Sequence, residues 1–229
     1  MKPKVLAIIP ARGGSKRIER KNLKLFSGQE IIGYPIEALK SSGVVDDIIV
    51  STEDTEIAEV AKKFGADVPF LRSAKNADDF ATTFDVISEV LSKVEQDYDY
   101  VCCLYPTSVF VTAELIKEAF ERLSEQSEAS SIATCIEYSH PIQRALSCDD
   151  GYLQPKQPEY YNSRTQDLET HYHDAGQLYL FKPSAVLESK RLITELCIPL
   201  VLDGNLTQDI DTLADWELAE LKFSYIGKP

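Results

Sequence analysis

The stretch Val5-Leu6-Ala7-Ile8-Ile9-Pro10-Ala11-Arg12-Gly13-Gly14-Ser15-Lys16-Arg17, running on through Ile18-Glu19-Arg20-Lys21-Asn22, decides how the chain is read. Val5 to Ile9 is a short unbroken apolar run, the pattern of a buried strand, and Pro10 ends it. A glycine-bearing loop dense in cations follows. Gly13 and Gly14 let the backbone come close to a ligand and turn successive N–H groups toward an anion. Arg12, Ser15, Lys16 and Lys21 add charge-assisted donors for phosphate oxygens. The spacing is neither G-x-x-x-x-G-K-[ST] nor G-x-G-x-x-G, so any phosphate is held in another way. The plain alternative is a solvated strand exit, because glycine pairs are common in loops.

Charge distribution favours the anion site. Residues 1–24 carry eight Lys/Arg against one acid, whereas the remainder of the 229-residue chain carries sixteen against thirty-six. One basic loop in an acidic protein points to a polyphosphate and away from nucleic acid, which needs a wide basic surface. The length suits a single domain, residues 1–229, with room for an inserted arm. A hydrophobic content of 44% with ten Gly and eleven Pro supports a sizeable core. No run approaches the roughly 18 to 20 apolar residues of a membrane helix. No apolar secretory segment is seen either, so a cytoplasmic protein without a membrane partner is expected. Five cysteines without C-x-x-C spacing, and histidines scattered at 140, 171 and 173, argue against zinc or a disulfide framework.

Outward from the loop, the pattern predicts a helix over 30–42 ending before Gly43, then a strand over 47–51. A helix from 52–54 to Phe64 with acids in its first turn, a short strand over 68–71 and a helix over 82–94 come next. A strand over 98–104 and a helix capped by Thr112 complete the alternation. Strand–helix alternation from 5 to 136 predicts an α/β fold with a mainly parallel, doubly wound sheet, whose ligands sit beyond the strands' carboxyl ends. Those ends are 10–22, 51–54, 72–82 and 105–108, so the basic loop lies where a ligand is expected. Between about 137 and 177 the helical period fades, and this segment reads as an arm with hairpin character near 148–152. The sheet resumes at 176–181 and 198–202, and a last helix, 213–225, carries the single tryptophan.

A second signal precedes that helix: Gln208-Asp209-Ile210-Asp211-Thr212. In an extended segment, residues two apart share a side, so Asp209 and Asp211 can face one way while Ile210 packs. Two hard carboxylates beside a phosphate site suit Mg²⁺; helix capping is the alternative. At the same rim stand Arg72, Asp78-Asp79, Thr82-Thr83 and Tyr105-Pro106-Thr107-Ser108. Arg72 can pair with Asp78 or Asp79 or help read a base. In the arm, Arg144 and Arg164 are matched to a carboxylate such as that of a sugar acid, with surface or interface arginines as the alternative. His173 can polarise a substrate group or make a structural hydrogen bond.

Residues 8–18, Lys21-Asn22, Ile49-Val50-Ser51-Thr52 with Asp54, Phe70-Leu71-Arg72, Pro106-Thr107-Ser108 and Asp209-Ile210-Asp211 resemble, in order, the cytidylyltransferases that activate sialic acids. Residues 139–145, 164–169, 172–177 and 208–212 resemble more closely the branch acting on pseudaminic acid. The resemblance implies a Rossmann-like nucleotidyltransferase fold and a homodimer whose arm reaches the partner's sugar site. It also implies CTP and a nine-carbon sugar acid as substrates, Mg²⁺ as cofactor, and a CMP-linked sugar plus pyrophosphate as products. N-acetylneuraminic and legionaminic acids are the alternative acceptors, and a non-catalytic nucleotide-binding protein is the remote one. On this reading Ala11, Arg12, Gly13, Gly14, Ser15 and Lys16 hold the triphosphate, with Thr82 beside them, and Asn22 and Arg72 read the cytidine. Lys21 stabilises charge on the transferred group, and Asp209 and Asp211 hold the metal, Asp211 being also the candidate base. Tyr105, Gln143, Arg144, Arg164, His173 and Gln177 are the expected sugar contacts. Glu19 departs from the family pattern, which often has proline there.

Overall fold

A computed structural model describes residues 2–226. β1 (Val5–Pro10) lies at the centre of the molecule, with Val5 to Ile9 fully buried. Ser27 and Gly28, both at positive φ, turn β2 (Leu25–Phe26) back on β3 (Gln29–Glu30). The expected helix over 30–42 therefore begins three residues later, as α1 (Gly33–Ser42), because residues 29 and 30 are spent in that hairpin. β4 (Asp47–Ser51) leads to α2 (Thr55–Phe64), capped by Asp54, whose carboxylate accepts from the Glu56 and Ile57 amides. Gly65, at φ 93°, closes α2 in the left-handed conformation that glycine adopts without a steric cost.

The predicted strand at 68–71 is not formed. Only Asp67 bridges to Ile49, and Pro69, lacking a donor, interrupts any ladder. α3 (Thr83–Lys93) starts in a reciprocal Thr82–Asp85 capping box. β5 (Tyr100–Leu104) and α4 (Ala113–Glu125), capped by Thr112, follow as expected. β6 (Ser131–Glu137) leads to the arm, where β7 (Leu146–Asp149) and β8 (Tyr152–Pro155) form the predicted hairpin through Asp150 and Gly151, both at positive φ. β9 (Tyr172–Phe181) starts four residues earlier than the sequence pattern suggests, since residues 172–174 extend the ladder with β6 down to Glu137. α5 (Pro183–Ser189), β10 (Cys197–Leu202) and α6 (Leu213–Ile226) complete the chain.

The six-stranded sheet has the order β10-β6-β9-β5-β1-β4. β4, β1 and β5 are mutually parallel, and β10 is parallel to β6, while β9 runs antiparallel between β5 and β6. Apolar side chains bury on both sheet faces, which is why the central strands read as continuous hydrophobic runs. Cys102 and Cys103 belong to these cores, and burial pushes the Cys102 thiol up to about 12. A third cluster joins Phe26, Tyr34, Trp216 and Phe223, with Phe26 edge-on to Trp216 at 5.5 Å and to Phe223 at 5.3 Å. Ile210, fully buried, packs in this cluster, so α6 anchors the acidic segment against the region that follows the basic loop.

Candidate active site

The carboxyl ends of β1 and β5, the 72–86 segment, the antiparallel β9 and the segment before α6 surround one cleft of about 740 Å³. Its floor is set by β1. Ala11, fully buried, donates its amide to the Ser51 carbonyl at 2.9 Å, so this amide is committed to the sheet and does not face a phosphate. Asn22, also buried, donates its side-chain amide to the Arg12 carbonyl at 2.8 Å. That bond clamps the two ends of the basic loop together. The Gly13 amide donates to Glu53 Oε1 at 2.7 Å, and a Cβ on Gly13 would stand 2.6 Å from the Asp54 carboxylate. Close approach therefore requires glycine at 13, whereas a Cβ at Gly14 meets nothing within 4 Å.

Loop and acidic pair meet across the chain. Lys21 Nζ donates to the Ile210 carbonyl at 2.7 Å and lies 3.5 Å from Asp211 Oδ1. Arg17 Nη2 approaches the same carboxylate oxygen at 2.8 Å. Ile210 points into the core while Asp209 and Asp211 both line the cleft, the alternation expected of an extended segment. Burial, and then the neighbouring Asp211 charge, raise the Asp209 carboxyl above its ordinary value; Lys21 opposes them.

Arg72 is buried, and it bonds neither Asp78 nor Asp79. Its Nε donates to Ser51 Oγ at 3.0 Å and a second nitrogen to the Ser51 carbonyl. Burial lowers its pKa from the ordinary value, with Glu53 and Glu89 pulling the other way. Instead, Arg12 and Lys16 take Asp79: Arg12 Nη1 is 2.9 Å from Asp79 Oδ1, and Lys16 pairs with the other oxygen. Thr82 lies at the rim as the cap of α3.

Opposite the basic loop, Tyr105 and Tyr179 meet edge to face at 6.0 Å. The Tyr105 and Thr83 hydroxyls hydrogen-bond at 2.9 Å, and Tyr179 donates its hydroxyl to the Asp174 carboxylate at 2.8 Å. Burial holds the Tyr105 phenol up at about 12 and raises Tyr179 as well, so both rings stay protonated at neutral pH.

Of the expected residues, Arg12, Ser15, Lys16, Lys21, Asn22, Arg72, Thr82, Tyr105, Asp209 and Asp211 converge on the cleft. Ala11 and Gly13 support it from behind, and Gly14 is exposed off its wall. The remaining sugar candidates are not on its wall. Gln177 is buried beside Phe110 and Leu115 on a separate cavity of about 290 Å³, its amide nitrogen on the Gln208 carbonyl at 3.3 Å. Gln143 donates to the Glu169 carbonyl at 2.9 Å, Arg144 to Thr165 at 3.2 Å, and Arg164 pairs with Asp167 at 2.7 Å, all within the arm. His173 is exposed, its Nδ1 3.0 Å from the Asp174 carbonyl and its ring 5.0 Å from that of Tyr138. Glu19 is exposed and off the cleft wall. Arg17, Asp79, Asp174 and Tyr179 line the cleft without having been singled out as site residues. Arg17 lies within the basic loop, whereas no local signal marks Tyr179, which lines the cleft although Gln177, two residues earlier, does not.

Comparison with known proteins gives the family. Residues 6–204 match the family model described as cytidylyltransferase. The pseudaminic acid cytidylyltransferase of Campylobacter jejuni is 40% identical over 224 residues, covering 96% of both chains. The CMP-N,N'-diacetyllegionaminic acid synthase of Legionella pneumophila is 32% identical over 95% of both. A CMP:2-keto-3-deoxy-manno-octonic acid synthetase solved with CTP superposes with a TM-score of 0.71 at 18% identity, covering 98% of this chain and all of that one, which establishes a common fold. A strand-exit basic loop clamped to an acidic pair, on this sheet and with these relatives, makes the chain a member of the cytidylyltransferase family.

Proposed function

We propose that the protein transfers the cytidylyl group of CTP to the anomeric hydroxyl of a nonulosonic acid, pseudaminic acid foremost, releasing pyrophosphate. The observation that carries this reading is the contact of Lys21 with Ile210 and Asp211, which sets the phosphate-binding cations and the acidic pair in one cleft. The acceptor follows from the 40% identical relative, whose similarity extends through the arm.

Phosphoryl-type transfer rests on positioning and charge neutralisation more than on covalent help from the protein. Arg12 and Lys16 bind the β- and γ-phosphates, and Lys21, fixed by the Ile210 carbonyl, steadies charge that builds on the α-phosphoryl group. Arg72, locked on Ser51, presents a fixed edge to the base. Among the described residues no group of three or more His, Cys, Asp or Glu gathers as a metal site. Two carboxylates on one wall do fit Mg²⁺ shared with phosphates and water, since this ion seldom takes an all-protein cage. Asp209 and Asp211 would hold it, and the ion would supply further neutralisation of the triphosphate. β5 and β6 both run antiparallel to β9, so the arm leaves the sheet at the same edge as the carboxyl end of β5. Arm side chains Leu146, Tyr152, Leu153 and Tyr161 are 51–72% exposed, which supports pairing with a second copy and delivery of Arg144 and Arg164 to its cleft. Incubation with CTP and Mg²⁺ and, separately, pseudaminic, legionaminic or N-acetylneuraminic acid, following pyrophosphate release, tests the reading. Turnover on pseudaminic acid alone is expected, and CTP binding without turnover on any acid would overturn it.

A further inference from the structure

The cations assigned to the triphosphate are already met by a carboxylate of the chain itself. Asp79 Oδ1 accepts from Arg12 Nη1 at 2.9 Å and Oδ2 takes Lys16 Nζ. Arg12 also reaches the Asp78 carbonyl at 3.4 Å. The turn that presents Asp79 is firmly anchored at both ends. Asp78 Oδ1 accepts the Phe80 and Ala81 amides at 2.8 Å each, a side-chain-closed turn. Beyond it stands the Thr82–Asp85 capping box, and before it Glu89 holds the Ser73 amide at 2.9 Å and the Asn76 side chain at 2.7 Å. Between these anchors Phe80 is 90% exposed, so moving the turn's tip disturbs no core packing.

Both ion pairs are partly open to water, with side-chain exposure of 40% for Arg12, 76% for Lys16 and 44% for Asp79. Such pairs are weak, and a single carboxylate yields to a ligand bearing several negative charges. A monophosphate ester lacks the groups that would reach these two cations. We infer that Asp79 is a resident competitor for the polyphosphate. It occupies Arg12 and Lys16 in the free enzyme, gives way to the β- and γ-phosphates, and returns as pyrophosphate leaves. Asp79 thereby discriminates between the polyphosphates and the CMP-linked product: CTP and pyrophosphate must displace it, while the CMP-linked product does not engage the same cations.

This inference rests on the nucleotide reading above, and binding of inorganic pyrophosphate and CMP to the whole protein, in Mg²⁺ by titration calorimetry, tests it. Asp79→Asn is expected to bind pyrophosphate about three- to tenfold tighter, with CMP affinity within about twofold of the parent. Asp79→Glu, which keeps the charge, is expected to return pyrophosphate affinity toward the parent value. Asp97→Asn removes an exposed charge outside the cleft, beside Lys2 and Lys4, and is expected to change neither affinity. Equal pyrophosphate affinity in Asp79→Asn and the parent, or equal tightening in Asp97→Asn, overturns the inference and leaves the proposed function standing. If the parent binds neither CTP nor pyrophosphate, the nucleotide reading falls and the role of Asp79 falls with it.

Discussion

The cleft and the arm hold their polar residues in opposite ways. In the cleft, Lys21 and Arg12 find partners far along the chain, at residues 210 and 211 and at 79, while Asn22 grips the Arg12 carbonyl from inside the core. In the arm, Arg164 pairs three residues away with Asp167, Arg144 reaches Thr165, and the large apolar side chains lie outward. Lys21, 19% exposed and held by the Ile210 carbonyl, is fixed before a ligand arrives, which is the preorganisation that charge stabilisation requires. The arm arginines pair only with exposed residues of the arm itself, which leaves them free to exchange partners. That contrast is the physical ground for proposing nucleotide chemistry in the cleft and acceptor recognition by the arm.

The sharpest way to break the contrast is at the cleft. Arg12→Ala and Asp211→Ala are each expected to lower turnover by on the order of 10²–10³, measured as pyrophosphate release with CTP, Mg²⁺ and the sugar acid. Near-normal rates in either variant would remove that residue from the chemistry. Smaller and more selective effects belong to the arm. Arg144→Ala and Arg164→Ala should raise KM for the sugar acid about ten- to a hundredfold, the worth of a charged hydrogen bond, while KM for CTP holds. A parallel rise in the CTP value would dissolve the division of labour.

Association is a further test of the arm. Tyr152→Ser combined with Tyr161→Ser is expected to shift sedimentation toward monomer at micromolar concentration, without loss of helical circular dichroism. An unchanged sedimentation coefficient would place any interface elsewhere.

The smallest effect concerns the anchor of the 73–82 segment. Glu89 is nearly buried, with its side chain 8% exposed. Burial raises its carboxyl, but bonds from Lys93, Asn76 and Ser73 outweigh this and bring the pKa down to about 2. Because the folded value is depressed, the stabilisation is full above the ordinary value near 4.5 and is lost as pH falls toward 2. Glu89→Gln should therefore cost about 1–3 kcal/mol at pH 7, with the gap to the parent narrowing as pH drops from 4.5 to 2 in thermal unfolding. A gap independent of pH would assign the loss to packing.

Much of the architecture was legible from local pattern. Apolar runs gave β1, β4 and β5, and Thr82, Thr112 and Asp54 marked helix starts because their oxygens satisfy free amides. The expected strand at 68–71 failed at Pro69, a breaker the apolar run concealed. Gln177 lies off the cleft wall, beside Phe110 and Leu115, where the register of β9 with β6 is irregular between Ala133 and Cys135. The partner of Asp79 could not be read at all, because an exposed aspartate in a polar turn looks the same whether it faces water or Arg12.

The sequence by itself determined the chemical parts: a strand ending in a basic glycine loop, two carboxylates spaced to share one side, and an arm of different texture. These follow from side-chain period, turn chemistry and charge, all of which act over a few residues. Only the tertiary structure decided that β9 enters antiparallel between β5 and β6, that Ile210 locks into the Phe26–Trp216 cluster, and that Lys21 consequently meets Asp211. Such meetings depend on how buried faces pack across some two hundred residues, and no local pattern encodes that distance.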